Sequence, residues 1–186
     1  MKPLNYVPEV IRELERTLFM IAADDAEQLA ELIVKSKKIL LAGAGRSGFA
    51  VKAFAMRLMH LGFDAHVVGE TVTPNLDDND LLLIGSGSGE TASLVSMAEK
   101  ARKIGASLAL VSIFPDSSIG RLADVAVRIP APSPKVNGTA EWTSIQPMGT
   151  LFEQSLFIFL DILILMLMEM QAKDSAIMFQ RHANIE

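Results

Sequence analysis

Residues 37–48 read KKILLAGAGRSG. A short apolar run passes straight into three glycines, Gly43, Gly45 and Gly48. Apolar side chains then recur at Phe49, Ala53, Met56 and Leu58, at helical spacing, until Gly62 stops the helix. The unit is strand, glycine turn, helix. It returns at residues 81–91, LLLIGSGSGET, where Leu81 to Ile84 are apolar throughout, as in a parallel strand covered on both faces. A helix over 90–104 follows and closes at Gly105. Further strands are expected over 65–68, 107–112 and 124–129. A turn is expected at 76–80 (LDDND), and a helical turn at 117–123. This β-α-β-α-β order predicts an α/β fold with a doubly wound, mostly parallel sheet. In such sheets ligands bind beyond the carboxyl ends of the strands, where both glycine loops fall.

Two helices precede this core. Residues 7–22 carry Val10, Ile11, Leu14, Leu18 and Ile21, and Asp24 or Asp25 is placed to cap a second helix with Leu29, Leu32 and Ile33. After the core, residues 131–148 hold Pro132, Pro134, Pro147 and Gly138 without any period, and read as a long loop. A terminal helix from Gly149 to about Phe179 follows, containing LFIFLDILILMLM at 156–168. That run has 13 residues and Asp161 inside it, short of the ~20 apolar residues of a membrane span. A buried helix is expected. Because it is apolar on every face, part of it is expected to lie in a subunit interface.

Composition sets the outer bounds. Half of the 186 residues are hydrophobic and 21% are charged, enough for a real core in one domain. Seventeen basic against 22 acidic residues leave a net charge of −5, which argues against a nucleic-acid partner. With no cysteine there is no disulfide, thiolate metal site or cysteine nucleophile. No His/Asp/Glu set has metal-ligand spacing, so no metal is expected. The N-terminus has no long apolar run after Lys2, so neither a secretory signal nor a membrane partner is expected, and a cytoplasmic location is.

Four constellations could carry chemistry. GAGRSG, residues 43–48, matches G-x-G-x-x-G, and Glu70 stands where a dinucleotide fold places its ribose-binding acid. A nicotinamide site, a purely structural turn and a different ligand all remain open on that loop alone. Ser47 and Arg46 are its candidate ligand contacts. The second loop, Ser86, Gly87, Ser88, Gly89, Glu90 and Thr91, offers three hydroxyls and backbone N–H groups at a positive helix end. It lacks a P-loop lysine, so it suits a phosphate monoester better than a nucleoside triphosphate. Two adjacent loops at one edge fit a small phosphorylated molecule better than a long dinucleotide. Third, GTLFEQS at 149–155 puts Glu153 in the first turn of an apolar helix, as a candidate base or as a simple complement to the helix dipole. Fourth, His182 follows Arg181 near the C-terminus; His60 and His66 read as structural, and Lys52 and Arg57 as solvated charges.

Taken in order, GAGRSG, VKAFAMRLMHLGFDAHVVGET, SGSGET, GTLFEQS and RHANIE resemble the 6-phospho-3-hexuloisomerase family of sugar isomerase (SIS) domains. The resemblance covers nearly the whole chain. It implies a single SIS domain over 1–186: N-terminal helices 1–36, doubly wound core 37–130, loop 131–148, C-terminal helix and tail 149–186. It implies an SIS-type, flavodoxin-like, three-layer α/β/α sandwich with a five-stranded parallel sheet and a long apolar C-terminal helix. The implied reaction interconverts D-arabino-3-hexulose 6-phosphate and D-fructose 6-phosphate in the ribulose monophosphate pathway of formaldehyde fixation, without metal or nucleotide cofactor. Glu153 matches the family's proposed proton acceptor, and His182 gains a site role, in its own subunit or a neighbour's. The family also implies a homotetramer with active sites near subunit interfaces. A different aldose–ketose phosphosugar isomerase and a non-catalytic phosphosugar sensor are the competing readings.

Overall fold

The computed structural model describes residues 4–133 and 142–185. The middle of the loop expected over 131–148 lies outside these residues, as do the first three residues and the last of RHANIE.

Alternation within each strand explains the layers. In β1 (Ile39–Gly43), Ile39 and Leu41 face one side of the sheet while Leu40 and Ala42 face the other. β3 (Leu81–Gly85) and β4 (Ser107–Ser112) divide in the same way, and β2 (Ala65–Val67) and β5 (Val125–Arg128) form the edges. All pairings are parallel, in the order β2-β1-β3-β4-β5. One face packs against α2 (Ala23–Lys35), α3 (Gly45–Leu61) and α5 (Thr150–Met170), with α1 (Val7–Phe19) on α5. The other packs against α4 (Ala92–Ile104) and a short turn of helix at Gly120–Leu122. This is the expected three-layer sandwich.

Several boundaries differ from the sequence reading, each for a local reason. α1 stops at Phe19, and α2 is capped by the extended residue Ala22; Asp24 and Asp25 sit inside its first turn, where their charge meets the positive helix end. α4 begins at Ala92, leaving Glu90 and Thr91 in the loop. The terminal helix ends at Met170, because Ala172 turns to φ +48°. Asp174 then caps a separate α6 (Ser175–Phe179) by accepting the Ile177 N–H at 2.9 Å.

α5 is shorter than the helix expected to about Phe179, but it extends beyond the 13-residue apolar run at both ends. Its 21 residues are long and apolar enough to cross a membrane by length and composition. Packing decides otherwise: Phe152, Leu156, Leu160, Leu163 and Leu167 are all buried in the main core. Phe157, Ile162 and Leu165 stay exposed on the opposite side, with Asp161 among them.

Candidate active site

β1 and β3 are neighbours, with Gly43 paired to Gly85. From there the chain leaves in opposite directions, into α3 on one face and α4 on the other. A crevice opens between the diverging connections, as at the switch point of any doubly wound sheet. α5 closes its third side, giving a cleft of about 590 Å³.

The glycines of the first loop are used for packing. A Cβ on Gly43 would stand 2.9 Å from the Gly48 Cα, and one on Gly48 would stand 2.8 Å from the Gly43 carbonyl oxygen. Only glycines let β1 and α3 touch here. The structural reading of the first and third glycines is therefore correct, while Arg46 and Ser47 between them face the cleft. Glu70 does not line it; its carboxylate lies 3.9 Å from the Lys52 ammonium, on the surface. Lys52 is thus paired rather than simply solvated.

The second loop is braced from within. The Gly89 N–H donates to the Ser86 hydroxyl at 3.1 Å, and the Glu90 N–H to the Ser88 hydroxyl at 3.2 Å. Each hydroxyl, having accepted, still carries a proton to donate to an anion. Ser86, Gly87, Ser88 and Thr91 line the cleft. Gly89 and Glu90 do not: Gly89 (φ +63°) is pressed against Ser117, where a Cβ would lie 1.9 Å from the hydroxyl oxygen. The Glu90 carboxylate turns away to accept the Ser118 N–H at 2.7 Å, which holds it below the usual carboxylate range.

Three helices begin at this cleft. Their N-cap residues, Ala44, Thr91 and Gly149, all line it, and none makes a side-chain capping bond. No N-cap side chain takes a first-turn N–H of α3 or α4, while at α5 the Thr150 N–H donates to the Pro147 carbonyl at 3.2 Å; three positive helix ends converge on one space. Such a space favours an anion without needing lysine. Its two charged side chains among the lining residues are Arg46 and Glu153. The Arg46 Nε donates to Glu153 Oε2, and the carboxylate is 21% exposed against 64% for the arginine. Met148, Thr150 and Phe152 also line the cleft, and sequence reasoning missed them. Thr150 could have been found, since it lies in the GTLFEQS motif; Met148 carried no signal.

His182 is elsewhere in its own chain. Its ring stacks on His60 at 5.5 Å between centroids and on Phe179 at 5.8 Å. It lines a second cleft of about 510 Å³ with Arg57, His60 and Asp161. Burial, and secondarily Arg57 and His182, push the His60 imidazole below its ordinary value. Arg57, read as a solvated charge, is 3.3 Å from His60 Nδ1.

Sheet order, switch-point cleft and hydroxyl loops define an SIS-type sugar phosphate domain, and the SIS domain model matches residues 32–158. The 3-hexulose-6-phosphate isomerase of Bacillus subtilis is 50% identical over 186 residues, covering 100% of both chains. That of Mycobacterium gastri is 40% identical over 182 residues, covering 98% of this chain and 90% of its own. The crystal structure of Methanococcus jannaschii MJ1247, for which a molecular function of 3-hexulose-6-phosphate isomerase was inferred, matches with a TM-score of 0.82 at 34% identity over 100% of both chains. The chain belongs to the SIS domain family and, within it, to the 6-phospho-3-hexuloisomerases; it is a phosphosugar isomerase.

Proposed function

We propose that the chain interconverts D-arabino-3-hexulose 6-phosphate and D-fructose 6-phosphate through a cis-enediolate, as a step of formaldehyde fixation by the ribulose monophosphate pathway. The observation that carries this reading is the placement of Glu153. It is a carboxylate in the same cleft as two hydroxyl loops and three helix N-termini. Ser86, Ser88 and Thr91, with the backbone around Gly87, hold the phosphate. The Gly89 and Glu90 side of the loop braces it rather than touching the ligand. Ser47 and Arg46 hold the sugar.

A 3-keto hexose could close a five-membered ring only through O6, which the phosphate blocks, so it arrives open-chain and needs no ring-opening base. Glu153 takes the proton from C2. The electrons of that C–H bond form the C2–C3 double bond, and the C3 carbonyl oxygen takes up a proton. The O2 hydroxyl then loses its proton as the C2 carbonyl forms, and Glu153 returns a proton to C3. Fixing the phosphate keeps both carbons within reach of one carboxylate. Arg46, the guanidinium already paired with Glu153, orients the base and faces the enediolate charge.

We assign the transfer of protons between O2 and O3 to His182 acting from a neighbouring subunit, because within one chain it lines the other cleft. The exposed apolar residues Phe49, Met56 and Met59 of α3 and Phe157, Ile162 and Leu165 of α5 support a homo-oligomer, which the family resemblance makes a tetramer. A cytoplasmic location is part of the same proposal; the packing of α5 as a core helix speaks against a membrane span. No metal or other cofactor enters this reaction.

The test is turnover of freshly made 3-hexulose 6-phosphate by wild type and Glu153→Gln. The variant should fold and bind fructose 6-phosphate but lose about a hundredfold or more in kcat, the scale of general base catalysis. Near-normal turnover would remove Glu153 from the mechanism.

A further inference from the structure

Glu13 lies on α1, outside all four sequence constellations, yet its carboxylate accepts three hydrogen bonds from one distant segment. The Ser144 hydroxyl donates at 2.7 Å, the Ile145 N–H at 2.8 Å and the Gln146 amide at 3.0 Å. Burial pushes this carboxyl up, but the three donors more than offset that, and it stands below its ordinary value of 4.5. One turn further along α1, the Arg16 guanidinium lies 4.6 Å from the centroid of the Trp142 ring. One face of α1 therefore grips residues 142–146.

The gripped segment leads directly into the active-site wall. Pro147 follows, and its carbonyl accepts both the Thr150 N–H (3.2 Å) and the Thr150 hydroxyl (2.6 Å), forming the turn that opens α5. Within that turn Met148 has φ +55°, a left-handed conformation that is strained for a non-glycine residue and persists only where neighbours hold it. Restraint comes from both sides: Glu13 before it and the Pro147–Thr150 bonds after it. Glu153 sits in the helical turn so defined, its N–H donating to the Gly149 carbonyl at 3.0 Å.

We propose that Glu13 is a positioning residue for the isomerisation, a clamp on residues 144–146 that sets the N-terminus of α5 and through it the Glu153 carboxylate. This rests on Glu153 being the base. The phosphate loop hangs from β3 and α4, whereas these three bonds of Glu13 all go to residues 144–146, so the clamp acts on the base and not on phosphate capture.

The experiment compares kcat and KM for 3-hexulose 6-phosphate in wild type, E13A, E13Q, E153Q and the E13A/E153Q double variant. It also follows hydrogen exchange at the Ile145 amide. E13A should lower kcat about tenfold, as expected for a base displaced by a fraction of an ångström, with KM changed less than about twofold. E13Q keeps a carbonyl acceptor for Ile145 and should recover most of the kcat. Adding E13A to E153Q should lower kcat no further, since the positioned group is already gone. The Ile145 amide should be protected in wild type and E153Q and exchange faster in E13A. Should E13A fail to fold, the S144A/Q146A pair removes two of the three bonds from the other side and should lower kcat in the same way.

The clamp is overturned by an E13A enzyme that melts earlier but keeps its kcat, by losses that add in the double variant, or by an Ile145 amide still protected in E13A. A wild type without turnover, or an active E153Q, would instead overturn the isomerase or base assignment, and the amide exchange would still judge the clamp.

Discussion

Ser88 and Glu13 are opposite cases at the scale of single residues. Ser88 was legible as a cleft residue because its neighbours are local: its hydroxyl accepts from the backbone N–H two residues on, and the S-G-S-G-E-T spacing sets hydroxyls and glycines at the start of a helix. In the proposed reaction its hydroxyl proton goes to a phosphate oxygen, an interaction shared by substrate and transition state. Ser88→Ala should therefore raise KM for the sugar phosphate about tenfold, the scale of one hydrogen bond to a charged group, and leave kcat nearly unchanged. Steady-state kinetics check this; an unchanged KM would place the phosphate elsewhere. Glu13 could not be read from sequence, since its partners lie 131 to 133 positions away and nothing local marks them. His182 was readable as an unusual residue but not as a placed one. Its ring lies against His60 of α3, a relation that no spacing encodes.

Among the elements, strands and glycine turns were legible because each is set by a few adjacent residues. Four apolar residues in a row make a buried strand, and a glycine at φ +93° or +91° stops α3 or α4. Helix ends were less legible. Asp24 and Asp25 look like caps, yet the chain enters α2 ahead of them because first-turn carboxylates are as well placed as a cap. The break at Ala172 is hidden in the sequence, because the apolar pattern of α5 runs up to it. α5 itself is a matter of packing. Leu163 is fully buried beneath the sheet-facing side of the helix. Leu163→Ala should cost about 2–5 kcal/mol of unfolding free energy, read from denaturant melts. A loss under about 1 kcal/mol would contradict the reading of α5 as a core helix.

For the whole molecule, function follows from a topological accident of the sheet. The order β2-β1-β3-β4-β5 sends α3 and α4 to opposite faces, and the gap between them is where α5 delivers Glu153. Local pattern foretold the gap and its two loops. It did not foretell that three helix N-termini would meet there, because that convergence depends on where α5 begins in space. The most direct test of the account follows fructose 6-phosphate in D2O by NMR. Wild type should exchange the C3 hydrogen for deuterium as the enediolate forms and returns, and Glu153→Gln should do so about a hundredfold more slowly or worse. Exchange at C3 that survives intact in Glu153→Gln would contradict it.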